Sequence, residues 1–160
     1  MCIKIMLINF TGGIPLGLSY LSACVKDPPR RDVQIIDCGE DSLSHTRLIE
    51  TILQNKPDVI GATVYTYHTN DILCFLKSVK DIAPSILTVV GGPHPTALPE
   101  EMAKNASVDV VVRGEGEITF KALIERFEKK ESYYDLDGIA FSKDGKVTVN
   151  KPRSFISDLD

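Results

Sequence analysis

Short, continuously apolar runs alternate along the chain with segments whose apolar residues recur every three or four positions. The runs cover residues 2–8, 33–36, 59–64, 86–90 and 108–112, and most are rich in Val and Ile. A short β-branched run without polar alternation is the pattern of a parallel strand buried on both faces. Between the runs, Leu48, Ile49, Ile52 and Leu53 share one helical face. So do Ile72, Phe75, Leu76, Val79 and Ile82, and so do Phe120, Leu123, Ile124 and Phe127. This i, i+3, i+4 spacing predicts helices lying on a sheet. The segment 15–26 is apolar on nearly every side, which predicts a helix packed deep, against a ligand or a second domain. Five strand–helix repeats predict an α/β fold: a five-stranded doubly wound parallel sheet, flavodoxin-like (Rossmann-like), in the order 2-1-3-4-5.

After the last helical segment the period changes to two. Residues 138–142 and 146–150 flank Lys143, Asp144 and Gly145, and Asp-Gly between alternating segments predicts a β-hairpin. The expected organisation is an α/β domain over residues 1–135, with a small C-terminal β-hairpin appendage and the start of a linker over 136–160.

Composition narrows the class. The 160 residues are 43% hydrophobic and 25% charged, with a formal net charge of −4. That supports a sizeable core and gives no general attraction to nucleic acid or anionic membrane. No apolar stretch is long enough to span a bilayer, so neither partner is expected. Cys2, Cys24, Cys38 and Cys74 stand in no CxxC or CxxxCxxC spacing, so no metal site is expected from them. They are expected to be free thiols, mostly filling the core, in a cytoplasmic protein.

In an open α/β sheet, ligands bind beyond the carboxyl ends of the strands near the point where strand order reverses. The loop after the first strand carries Gly12 and Gly13 ahead of Pro15. It lacks both the G-x-G-x-x-G and G-x-x-x-x-G-K-[ST] patterns. It is either a surface for close backbone approach to a ligand or a plain strand–helix turn. The loop after the third strand carries Thr63, Tyr65, Thr66, Tyr67, His68, Thr69 and Asn70. Its tyrosines either meet a ligand or cover the sheet edge, and Thr69 or Asn70 is a candidate helix cap. After the fourth strand, Gly91 and Gly92 leave room for a bulky group, and His94 is a candidate ligand contact or a loop residue bonded to backbone. After the fifth, Arg113, Gly114, Glu115, Gly116 and Glu117 allow a tight turn, with Glu117 placed to complement the helix dipole. No residue set predicts catalysis or a metal. The four loops together predict a large, partly flat ligand resting on backbone.

These loops carry a resemblance. Pro15-Leu16-Gly17-Leu18-Ser19-Tyr20-Leu21, Pro57-Asp58-Val59-Ile60-Gly61-Ala62-Thr63, Val90-Gly91-Gly92-Pro93-His94-Pro95-Thr96 and Val112-Arg113-Gly114-Glu115-Gly116-Glu117 follow one another in order. With Leu136-Asp137-Gly138-Ile139 and the ending Ile156-Ser157-Asp158-Leu159-Asp160, they resemble the N-terminal cobalamin-binding domain of cobalamin-dependent radical SAM proteins. The resemblance implies cobalamin as the cofactor, with its corrin over the carboxyl edge of the sheet and its nucleotide tail running into the fold. It places Thr63, Gly91 and Gly92 along the tail, and Gly12, Gly13, Tyr65, His94, Gly114 and Glu115 near the corrin or its amides. It also implies a downstream radical SAM domain in a longer parent chain, with a [4Fe-4S] cluster, S-adenosylmethionine and often methyl transfer.

Two departures shape that expectation. Cobalamin domains that ligate cobalt through histidine carry D-x-H-x-x-G after the first strand, and residues 9–18 contain neither Asp nor His. Base-off binding without a histidine from that loop is therefore expected, with Tyr65 and His94 as the nearest substitutes. The chain also lacks CxxxCxxC, so alone it is expected to bind and not to catalyse. The alternative reading is a flavodoxin-like FMN-binding or other small-ligand domain, against which the first loop lacks a run of hydroxyls. A receiver-type signalling domain would need acidic residues where Asn9 and Phe10 stand.

Overall fold

The computed structural model describes residues 2–13, 15–39 and 44–153. The apolar runs become β1 (Ile3–Asn9), β2 (Arg31–Asp37), β3 (Val59–Thr63), β4 (Leu87–Gly91) and β5 (Val110–Val112), all parallel. The periodic segments become α1 (Leu16–Val25), α2 (His45–Asn55), α3 (Thr69–Ile82) and α6 (Gly116–Glu128). A single 3-10 turn, Thr66–His68, precedes α3, so His68 and not Thr69 or Asn70 occupies its cap position. The fourth connection is two short helices, α4 (Pro93–Ala97) and α5 (Pro99–Lys104), interrupted at Leu98. Pro99 disfavours helical backbone at the residue before it, which accounts for the break.

The order is β2-β1-β3-β4-β5-β6-β7, where β6 is Ile139–Lys143 and β7 is Lys146–Val149. The predicted order of the five parallel strands is present, but the expected five-stranded sheet is a seven-stranded one. The hairpin does not hang from the domain. It continues the sheet antiparallel to β5 through the Val111–Ala140 and Val112–Ile139 pairs. Ile139, Ala140 and Phe141 are buried, and this apolar surface draws the hairpin onto β5. A two-residue Asp144–Gly145 turn with both φ angles positive closes it, as a type I′ hairpin requires.

Alternate residues of each strand enter two cores. On one face Met6, Ile8, Ile60, Val64 and Val90 pack with Leu48 and Ile52 of α2 and Phe75, Leu76 and Val79 of α3. On the other, Ile5, Leu7, Val59, Val89 and Val110 pack with Leu18 of α1 and Phe120, Leu123 and Ile124 of α6. Two sequence expectations need correction. β2 is not buried on both faces, because it is an edge strand that the helices cover only in part. Helix α1 is not deeply packed: only Leu18 and Val25 are buried, and Leu16 and Tyr20 are exposed.

The cysteines also differ from expectation. Cys2, Cys24 and Cys74 are exposed, and only the half-buried Cys38 packs against the core. Among the described residues, no helix is long and apolar enough to cross a membrane.

Candidate functional site

A cleft of about 260 Å³ opens at the carboxyl edge of the sheet and runs down between the sheet and the α1–α6 pair. Its depth follows from strand register. Leu7, Gly61 and Val89 are register partners across β1, β3 and β4, and they form one row. Thr63 and Gly91 form the rim row, two residues higher, about 7 Å at the rise of an extended strand. The deep row is apolar, and Phe120 of α6 closes it from the helix side.

Glycine makes the hollow. In a row that otherwise carries Leu and Val, a Cβ on Gly61 would lie 2.8 Å from Leu7 Cδ2 and 3.9 Å from Phe120 Cζ. Gly92 has φ +103°, and a Cβ there would lie 2.9 Å from Thr63 Cγ2 and 3.2 Å from the Val64 backbone. Only glycine satisfies both the backbone conformation and the approach.

The rim loops are tied together. Val64 N–H donates to the Gly91 carbonyl at 2.8 Å, and His94 N–H donates to the Val64 carbonyl at 3.2 Å. Gly114 N–H donates to Thr96 Oγ1 at 3.0 Å. Thr63, Tyr65, Gly91, Gly92, Gly114 and Glu115 thus all line the cleft.

Three predicted residues lie elsewhere. Gly12 and Gly13 are in a loop folded about the buried Asn9, which accepts from Thr11 Oγ1 at 2.8 Å and reaches Asp37 Oδ1 at 3.3 Å. Gly12 packs against Gly39 so closely that a Cβ on Gly39 would fall 2.0 Å from Gly12 Cα. His94 is buried behind the rim, with Nδ1 3.2 Å from Thr66 Oγ1 and Nε2 3.8 Å from Glu101 Oε1.

Sequence reasoning missed Gly61, Gly17, Leu18, Leu21, Glu117 and Phe120 as cleft residues. A signal existed for Gly61, a glycine inside a buried strand, which marks close approach by something else. For Glu117, the signal is visible only in three dimensions. Its Oε2 is shielded from solvent and has no hydrogen-bond partner.

Chemically, the cleft accepts a flat apolar group edge-in at its floor and offers a hydroxyl, carboxylates and glycine backbone above it. That donor and acceptor set fits an amide-rich planar ligand carrying an aromatic tail.

Comparison with known proteins agrees. The B12 binding domain family matches residues 4–124. An uncharacterized methyltransferase of Pyrococcus horikoshii is 36% identical over 151 residues, covering 94% of this chain and 32% of that protein. An anaerobic magnesium-protoporphyrin IX monomethyl ester cyclase of Rubrivivax gelatinosus is 32% identical over 151 residues, covering 91% of this chain and 27% of its own length. The chain therefore spans about a third or less of these relatives. The radical S-adenosylmethionine methyltransferase TsrM of Kitasatospora setae, solved with cobalamin and a [4Fe-4S] cluster bound, shares the fold. Its TM-score is 0.82 at 16% identity, covering 99% of this chain and 30% of that one. The chain belongs to the B12-binding domain family, and it is a cobalamin-binding domain resembling those of cobalamin-dependent radical SAM methyltransferases.

Proposed function

We propose that the domain holds cobalamin base-off, with the nucleotide tail in the cleft, the corrin across the rim and no histidine on cobalt. The observation that carries this reading is the glycine-made hollow at Gly61, apolar at its floor and continuous with a rim of backbone and hydroxyl groups. Thr63, Gly91 and Gly92 would border the tail, and Tyr65, Gly114 and Glu115 would face the corrin. The burial of His94 against Thr66 supports binding without an imidazole ligand, and Tyr65, which lines the cleft, would be the nearer of the two substitutes. Gly12 and Gly13, in a loop outside the cleft, would meet the ligand only at its margin.

When bound, cobalamin supplies a cobalt centre able to carry an alkyl group. The residues of this chain position the macrocycle and exclude water from the tail. In the longer cytoplasmic parent protein we place residues 1–135 as the body of the cobalamin module, and 136–160 as the hairpin that continues its sheet and the start of a linker to a radical SAM domain holding a [4Fe-4S] cluster and S-adenosylmethionine. Methyl transfer is the reaction proposed for that parent.

The test is titration of the 160-residue chain with hydroxocobalamin, followed by desalting and spectroscopy. Retained absorbance with a base-off spectrum, and a reduced cob(II)alamin EPR signal free of nitrogen hyperfine splitting, is the expected result. Imidazole splitting would reject the ligand assignment, and loss of all colour on desalting would reject the binding mode.

A further inference from the structure

Among the described residues lining the cleft, Glu117 carries a buried side-chain polar atom that the protein itself leaves unanswered. Glu117 Oε2 is buried without a donor, and a buried acceptor without a partner is destabilising and calls for a specific reason. Glu117 sits in the first turn of α6, three residues before Phe120, so both side chains lie on one helical face. Both line the cleft. Phe120 closes the deep row of Leu7, Gly61 and Val89, and Glu117 stands one turn nearer the rim.

Resting on the cobalamin reading above, we propose that Glu117 accepts a hydrogen bond from a ribose hydroxyl of the nucleotide tail. It would thereby select corrinoids with a complete nucleotide over truncated ones. The chemistry follows from the order of groups along the tail. Running inward from the corrin come the phosphate, the ribose and the aromatic base. The apolar floor under Phe120 suits the base. An ionised carboxylate is an acceptor only, so it repels the phosphate and requires an O–H or N–H donor. At the level just above the base, the ribose hydroxyls are the donors available. A carboxylate acceptor also makes a stronger bond than a neutral one.

The test compares affinities of the full chain for hydroxocobalamin and for diaquocobinamide, which has the corrin and its amides but no nucleotide. Glu117→Leu is expected to weaken cobalamin binding about tenfold or more and to leave cobinamide binding unchanged. Glu117→Gln, which keeps a carbonyl acceptor in the same shape, should retain part of the preference. Cobalamin alkylated on its ribose hydroxyls should lose the same factor on the wild-type chain and nothing further on Glu117→Leu. Equal weakening of cobalamin and cobinamide would move the contact to a corrin amide and overturn the proposal. So would unchanged cobalamin affinity in both variants. A wild-type chain that binds neither corrinoid would instead reject the cobalamin reading itself.

Discussion

Gly92 joins local backbone to site geometry in a single residue. Its φ of +103° is one that L side chains rarely adopt, and a Cβ would press on Thr63 and the Val64 backbone. Gly92→Ala is expected to lower unfolding free energy by about 2 kcal/mol and to weaken cobalamin binding, measured by denaturant unfolding and by titration. Tyr133 shows a different residue-scale effect. Burial, and then the neighbouring Tyr134 and Asp109, push its hydroxyl well above the usual tyrosine range. The unfolded chain then releases this proton first, so the contribution to stability is intact below about pH 10 and declines as pH rises above it. Unfolding curves above pH 10 should shallow in their pH dependence for Tyr133→Phe, and an unchanged slope would exclude Tyr133 as the group responsible.

At the scale of elements, two side-chain anchors join strands to helices. Arg31, at the start of the edge strand β2, is almost fully buried and donates to Glu128 Oε2 from Nη2 at 2.7 Å and from Nε at 3.2 Å. Glu128 ends α6, so this pair holds the edge strand to the helix that covers the cleft. Removing one partner strands a buried charge, and Glu128→Ala is expected to cost about 3 kcal/mol, read from chemical denaturation. Asp109 plays the same part on the other side, accepting from Thr88 N–H at 2.8 Å, from Thr88 Oγ1 at 2.9 Å and from Lys80 Nζ. The β6–β7 hairpin is also structural. Truncation before Leu136 would bare the edge of β5 together with the core surface on which Ile139 and Phe141 pack. Such a truncated chain should aggregate or fail to fold cooperatively, as size-exclusion chromatography and thermal melts would show.

For the whole molecule, ligand and fold are linked. A cleft built between the sheet and two helices binds only in the folded state, so saturating cobalamin should raise stability by about 2.7 kcal/mol at a hundredfold excess over Kd. The corresponding rise in melting temperature should shrink in Gly61→Val, whose side chain would fill the floor.

The sequence by itself determined the strand runs, the helical faces of α2, α3 and α6, the order of the first five strands and the loops that form the rim. These rest on local periodicity and on the connection rules of parallel sheets, both written in residue order. It determined less about the hairpin, the exposure of β2 and α1, and which rim residues meet. Those depend on which surfaces are covered by elements distant in the chain. Gly12 packs against Gly39 outside the cleft, and His94 turns to Thr66. Gly61 carried a signal in the sequence, a glycine inside a buried strand, but Glu117 became visible as a cleft residue only when the strands were set beside α1 and α6. A hollow is a relation among several elements, and no single stretch of sequence contains it.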